Sequence, residues 1–558
     1  MKRILTLLTL SALAWQAPAQ VVDRTKYPDY DSIRHIDTQL AAQQARFVPM
    51  ASLTRPVRVN NAETMHFPTV FNQDGGSCGS ASRICYMFTH ELNSFRNLNG
   101  REPENYYPSH FVWLLTNSPS GKDEFITKVG VPSAAIYGGR TFSNLFGYQV
   151  ETDNNFGWMT GYDKWYAAMF NRMWAPTHLP ISVETEEGRE LLKNWLWNHA
   201  GDADFHSGGV VGIGVASAGR WESIPSTPTN DAIGVTSKKY VAKWGTQVDH
   251  ALTIVGYDDR IEFDLNGNGI YGEKSADEVG AWIVVNSWGP YWCNNGFVYC
   301  PYAHAGAWFN ADGTMGNTSW WQPEIYRVRK NYRPLRTIKL RMDYSRRSEL
   351  LLSVGVSADL NATEPDMLVP MEHFRYAGDG HNGNTVPAPE VPMLGKWADG
   401  KLHDEPMEFG YDLTDLSASF DQNMPLKYFF IIQTKPTALG SGHIYNASII
   451  DYRDDLLGIE TPFNLPAASG TEIKSAGQRT VISTVVQGAG FYAPQNPHIE
   501  QTTLSWTAPI PSALPVTGYN VYCGTQLLGT VAADVRSYDL GETGTEVYGV
   551  SALYGTHE

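Results

Sequence analysis

The chain is poor in cysteine, with five among 558 residues, at positions 78, 85, 293, 300 and 523. That excludes a disulfide-built scaffold, and the odd count leaves at least one thiol without an intramolecular partner. Cations are scarce too: 42 Lys and Arg stand against 58 Asp and Glu, a formal net charge of −16. Such a surface repels phosphates, so nucleic acid is not an expected partner. Beyond Trp15 no stretch reaches the about 18 consecutive apolar residues that a membrane-spanning helix needs. There is no G-x-S-x-G, so the serine-hydrolase elbow has no support. His90-Glu91 lacks the second histidine of a zinc-protease helix and reads as structural.

What is present points to an ordered multidomain protein. Hydrophobic residues make up 42% and charged ones 18%, and the length exceeds what one core accommodates, so roughly three or four domains are expected. The 17 Trp and 29 Tyr suit β-rich secreted enzymes and sugar-binding surfaces. Met1-Lys2-Arg3, an apolar run to Trp15 and then Ala17-Pro18-Ala19 have the three parts of a secretory signal peptide, assigned to residues 1–19. No cysteine follows the cleavage site, so a lipid anchor is not expected. The predicted location is extracellular or periplasmic, with attachment to a cell surface left open.

Residues 20–55 are polar, with a helical stretch near 38–46, and read as an N-terminal segment or short pro-region. Residues 56–330 carry every motif with chemical content. From 331 to 460 apolar alternation at 337–342, 350–356, 428–432 and 444–450, punctuated by Gly, Asn and Pro, predicts an all-β sandwich. Residues 461–495, flecked with Gly, Ser and Ala, read as a linker. In 496–558, Leu504-Ser505-Trp506-Thr507-Ala508-Pro509, Tyr519-Asn520-Val521-Tyr522 and Tyr548-Gly549-Val550-Ser551-Ala552 resemble a fibronectin type III domain. Its Trp and Tyr would fill the space between two sheets. The chain stops about where a final strand would begin, so a further C-terminal piece is expected.

Three separated motifs supply the parts of thiol acyl transfer. In Gln73-Asp74-Gly75-Gly76-Ser77-Cys78-Gly79-Ser80-Ala81-Ser82, a glutamine precedes a cysteine at the start of a helical pattern. A helix N-terminus favours thiolate. Downstream lie Asp249-His250-Ala251, opening a strand-like run, and Asn286-Ser287-Trp288-Gly289. Their order and wording resemble the papain family of cysteine peptidases. The resemblance implies an α+β catalytic domain in which Cys78 attacks a carbonyl, His250 carries its proton, Asn286 orients the imidazole and Gln73 donates to the oxyanion. Trp288 would shield the His250–Asn286 hydrogen bond. No cofactor is then required for catalysis.

Two registers stay open at the first motif. In the usual family wording, Q-x-x-C-G-S-C-W, the first cysteine forms a disulfide and the second attacks, which would put Ala81 at the nucleophile's place and Glu91 at a glutamate the family often carries. More distant papain-fold thiol enzymes carry C-G-x-[AT]-S with its cysteine as nucleophile, and Cys78-Gly79-Ser80-Ala81-Ser82 looks like that version. The first register makes the protein an inactive homologue acting as a surface binding or adhesion protein. The second makes it a secreted peptidase acting on protein or peptide substrates. In either case the C-terminal β-domains could hold a cell-surface or glycan ligand.

Three smaller features are weighed beside these. Cys293 takes a glycine's place in the third motif, and a local bridge to Cys300 is one reading of it. Tyr137-Gly138-Gly139 reads as a turn. Asp264-Leu265-Asn266-Gly267-Asn268-Gly269-Ile270 matches the first half of a calcium loop, with side-chain oxygens at Asp264, Asn266 and Asn268 and the carbonyl of Ile270 as ligands to a structural Ca²⁺. Position 12 is Ser275, so closure would fall to Asp277 or Glu278. The alternative is an Asn-Gly-rich hairpin loop.

Overall fold

In the computed structural model, the described residues are 55–558 apart from 74–75, 114, 116–118, 138–140, 144–148, 152–158, 307–319, 372–373, 375–392, 394–405, 423, 454–456, 466–468, 489–491, 510, 512–514, 543, 545 and 556–557. The signal peptide, nearly all of the expected N-terminal segment and the Gly138-Gly139 pair lie outside them.

The strand His250–Glu262 organises the first region. Its residues 251–257 are almost all apolar because both faces are covered. Leu252, Ile254 and Tyr257 face one apolar cluster, with Leu192 and Trp195 of the helix Glu186–Asn198, and Val255 faces the other, with Ile84, Met87 and Phe88. This strand has Val211–Val215 on one side and Val279–Val285 on the other, both antiparallel, within a nine-stranded sheet. Phe297–Pro301 continues the order and then meets Lys239–Lys243 in the sheet's parallel contact, Tyr299 opposite Tyr240. Trp320–Ile325 and Thr177–His178 extend the other edge.

Packed on this sheet is one continuous helical run, in three parts: Cys78–Ser80, a π-helical stretch Ala81–Phe88, and Thr89–Arg96. Asn97 closes it in the left-handed region, with φ 54°. Ile84, Met87, Phe88 and Leu92 are fully buried. Two polar contacts fix the run against the strands. Ser82 Oγ donates to the carbonyl of Leu252 at 2.8 Å, and the Tyr86 hydroxyl donates to that of Asn286 at 3.0 Å. Both motif-bearing strands are thereby keyed to the helix that begins at Cys78.

Next come a five-stranded and a four-stranded antiparallel sheet. The first runs Met407–Asp412, Arg336–Met342, His443–Asp451 and Ile459–Pro462, with Thr471–Glu472 also beside His443–Asp451. The second runs Met367–Met371, Leu350–Ser357, Leu426–Thr434 and Arg479–Val486. This corrects the expected linker: residues 459–486 supply three strands. Arg479–Val486 carries the β-branched run Thr480-Val481-Ile482-Ser483-Thr484-Val485-Val486, whose pattern the surrounding Gly, Ser and Ala obscured. The apolar cluster of the helices continues into these sheets through Ile338, Leu340 and Phe409.

The last residues form two three-stranded antiparallel sheets, Gln495–Glu500, Thr503–Thr507, Ser537–Asp539 and Gln526–Ala532, Gly518–Cys523, Tyr548–Leu553. Leu504, Trp506, Tyr519, Val521, Ala552 and Tyr554 make a separate small core between them. No helix among the described residues is long and apolar enough to cross a membrane.

Candidate active site

Cys78 opens the helical run after Ser77 and is partly exposed, lining a cavity of about 470 Å³ together with His250, Ala251 and Lys122. As the first helical residue its amide is among those with no partner inside the helix. His250 is the first residue of its strand and Asn286 follows the last residue of the next, so the sheet register delivers both to one end. His250 Nε2 and Asn286 Oδ1 are 2.8 Å apart, with both side chains buried. Asn286 Oδ1 also accepts the amide of Ser287 at 2.7 Å, which fixes its direction. With Nε2 so engaged, Nδ1 is the imidazole nitrogen left for the thiol.

The electrostatics suit a nucleophile. Burial pushes the Cys78 thiol up, but a hydrogen bond from His250, its charge, the Ala251 amide and the charge of Lys122 outweigh burial and bring it below its ordinary value. Trp288 stacks on the imidazole, with ring centroids 4.7 Å apart and planes 26° from parallel. It covers the face of the His250–Asn286 pair, while its own outer side stays exposed. Trp292 meets Trp288 edge-on at 5.6 Å and supports it.

Gln73 is tied to the Asn286 segment at two points. Its amide donates to the carbonyl of Ser287 at 2.7 Å, and its Oε1 accepts the Ser287 hydroxyl at 2.5 Å. The structure brings Cys78, His250 and Asn286 together and ties Gln73 to Ser287, next to Asn286. Cys78 faces His250 and the cavity, and Ala81 is fully buried in the apolar core.

Several expectations are corrected. Cys293 and Cys300 are not bonded to each other. Cys300 is buried inside its strand, and Cys293 sits in a turn at φ 45°, where burial pushes its thiol up to about 11. Asp277 does not close the calcium-like loop, because Arg189 takes its carboxylate, Nη1 to Oδ1 at 2.7 Å. Glu278 instead caps the loop by accepting the amides of Leu265 and Asn266 at 2.8 and 3.1 Å. Asp264 accepts the amides of Gly267, Asn268 and Gly269, and Glu273 reaches the side chains of Asn266 and Asn268. Among the described residues no three His, Cys, Asp or Glu are gathered as a metal site; this loop offers carboxylate, amide and carbonyl oxygens together.

Sequence reading missed two groups. Ser82, inside the quoted motif, bonds the His250 strand and shares a 2.8 Å contact with Thr253. Its position one turn after the cysteine was the available signal. The other is a charged set around the cavity, buried Lys122 and Glu324 with half-buried Arg83 and Asp123, in which Arg83 Nη2 donates to Glu324 Oε2 at 3.0 Å. Nothing in the local sequence announces that set.

Comparison with known proteins bears on part of the chain. Residues 230–307 match the model of the papain family of cysteine proteases. No curated protein matches the sequence. Among solved structures the chain is similar to xylellain, a cysteine protease from Xylella fastidiosa, at 14% identity over 51% of this chain and 92% of that one, with a TM-score of 0.29. It is likewise similar to the bromelain protease from Ananas comosus in complex with an inhibitor, at 16% identity over 49% of this chain and 99% of that one, with a TM-score of 0.27. The stretch from 230 to 307 that resembles this family model bears His250 and Asn286.

Proposed function

We propose that the protein is a secreted cysteine peptidase whose nucleophile is Cys78. The observation that carries this reading is the line Cys78–His250–Asn286, assembled from three distant segments at one end of the sheet, with the Cys78 thiol held below its ordinary value.

In this reading the Cys78 proton passes to His250 Nδ1, and Sγ adds to the carbonyl carbon of a peptide bond. Negative charge builds on the carbonyl oxygen and is met by Gln73 Nε2 and the Cys78 amide. The imidazolium returns its proton to the departing amine, leaving a thioester on Cys78. A water then gives its proton to His250, attacks the thioester and releases the acid, and the thiol is restored. Asn286 keeps the imidazole in the required tautomer and orientation, and Trp288 keeps water from that hydrogen bond.

Secretion rests on the signal-peptide pattern of residues 1–19. The fibronectin type III-like reading of 496–558 is supported by two small facing sheets with Trp506 and Tyr519 between them, ring centroids 5.3 Å apart. Attachment to a cell-surface or glycan ligand is the role inferred for the C-terminal β-regions. A structural Ca²⁺ held by the oxygens of Asp264, Asn266 and Asn268 and the carbonyl of Ile270 would have to replace the backbone amides that these side-chain oxygens now accept; it would stiffen the loop and take no part in the reaction.

The test is incubation of the purified, reduced protein with an epoxide inhibitor of papain-like enzymes, followed by peptide mapping. We expect one label per chain at Cys78, abolished in Cys78→Ala and reduced by at least about 100-fold in rate in His250→Ala, given what a positioned base contributes. A folded protein that takes no label would sink the peptidase reading and leave the inactive scaffold, to be followed with glycan arrays.

A further inference from the structure

The ammonium of Lys122 stands where a cation is least expected. It is carried on the short helix Pro119–Glu124, is 5% exposed, and lies against the first turn of the helix that starts at Cys78. A Cβ added at Gly79 would come within 3.2 Å of Lys122 Cε and 3.3 Å of Nζ. Glycine directly after the cysteine is therefore what lets the ammonium approach that turn. The start of a helix is its positive end, so a buried cation beside it is disfavoured twice, by the dipole and by desolvation. An anion formed at the same place would reverse both penalties.

Cys78, Asp123 and Glu324 all act on the Lys122 ammonium from around it. Arg83, on the Cys78 helix, is bound to Glu324 of the strand Trp320–Ile325. Asp123, next to Lys122, accepts the Tyr326 hydroxyl at 2.7 Å. Burial, with Glu324 adding to it, pushes Asp123 up to about 6 despite Arg83 and Lys122. His178, on the neighbouring strand, is lowered by burial, and Asp249 spends one carboxylate oxygen on the amide of Ser217 at 2.8 Å. Burial and Arg83 bring Lys122 itself down to about 8, against upward pulls from Cys78, Asp123 and Glu324. It remains a cation through neutral pH.

We propose that Lys122 is a positioning residue for the nucleophile, a second cation beside His250 that holds Cys78 as the thiolate. The proposal rests on the reading of Cys78 as nucleophile and adds that the thiolate does not depend on the imidazolium alone. Lys122 does not touch the substrate in this role. It sets the fraction of Cys78 ready to attack, and Gly79 is the residue that makes room for it.

The test is the pH dependence of Cys78 alkylation by iodoacetamide in the full chain, read by peptide mapping from about pH 4 to pH 10, with near-ultraviolet circular dichroism to confirm folding. In Lys122→Met we expect the labelling midpoint to rise by about one pH unit, which is about tenfold slower labelling on the acid side. Lys122→Arg, which keeps the charge, should restore most of it. In His250→Ala the midpoint should stay below the about 8.5 of a free thiol, and His250→Ala/Lys122→Met should reach or pass that value. Gly79→Ala, which displaces the ammonium without removing it, should give a smaller rise and serves if Lys122→Met does not fold. Superimposable profiles for wild type and Lys122→Met, or for the single and double variants, would overturn the proposal while leaving the nucleophile intact. A wild-type Cys78 that labels like any free thiol would instead overturn the nucleophile reading itself.

Discussion

Two of the charge groups among the described residues behave in opposite ways. One sits in the seam between the helices and the central sheets. There Arg172 donates to Asp412 at 2.5 Å, to Asp415 at 3.1 Å and to the carbonyl of Thr127 at 2.7 Å, while Arg329 grips Asp415 through two bonds of 2.6 and 2.8 Å. The other lines the cleft at Cys78, where Arg83 and Glu324 pair and Lys122 and Asp123 stand beside them. Burial is the largest single influence on Asp415 and on Asp123 alike. In the seam Arg329 and Arg172 overcome it and bring Asp415 down to about 2, whereas in the cleft it wins and Asp123 goes up to about 6. Desolvation is common to both, so the geometry of the partners decides the sign. Charges whose partners outweigh burial fix a structure, and a carboxyl for which burial wins, such as Asp123, stays adjustable.

The most drastic way to test the seam is to remove what lies across it. Ending the chain at 330 would bare the apolar face that Ile338, Leu340 and Phe409 cover, along with Trp165, whose ring centroid is 5.9 Å from that of Phe409. At about 1.5–3 kcal/mol for each large side chain uncovered, the loss exceeds about 10 kcal/mol, comparable with the whole stability of a domain. We expect no cooperative melt and no selective labelling at Cys78. Ending the chain after Val486 should leave both intact, because the last two sheets have a core of their own. A chain ending at 330 that still melts cooperatively would break the comparison. On a finer scale, Arg172→Met strands the fully buried Asp412 carboxylate and should destabilise by about 3–5 kcal/mol in urea titrations. A loss under about 1 kcal/mol would mean that the seam is held by apolar contact alone.

How much of this was legible depended on how local the signal was. His250 and Asn286 could be read because each occupies a short, stereotyped junction with an apolar strand, and sheet register does the rest. Cys78 could be found but not its register, because Cys78 and Ala81 both begin helical turns. In the fold they differ: Ala81 packs into the core and Cys78 lines the cavity. The strand Arg479–Val486 reads as linker because its neighbours are small and polar, although its Thr, Val and Ile residues fit a half-covered edge. Lys122 was invisible. Pro119-Ser120-Gly121-Lys122-Asp123 reads as any exposed turn, and only the fold carries it to Gly79, 43 positions away. The seam was equally hidden, since Arg172 and Asp412 are joined across 240 residues.

The smallest effect sharpens the contrast most, because its sign differs between the two groups. Asp123 has a folded value near 6 against an ordinary 3.8, so its ionisation opposes folding. That cost is fully present above about pH 6 and vanishes below about pH 4, where the acid is protonated in both states. Asp123→Asn, which can still accept the Tyr326 hydroxyl, should therefore stabilise by about 1–2 kcal/mol at pH 7 and change little at pH 4. Asp415 runs the other way: with a folded value near 2, its contribution is present above about pH 4 and is lost as pH falls through 2. Asp415→Asn should accordingly destabilise at pH 7 and converge with wild type in strong acid. Thermal melts of both variants across this range provide the check. If Asp123→Asn also destabilised at pH 7, the cleft carboxylate would be a structural anchor like those of the seam, and the distinction between fixed and adjustable charge would fail at the residue next to Lys122.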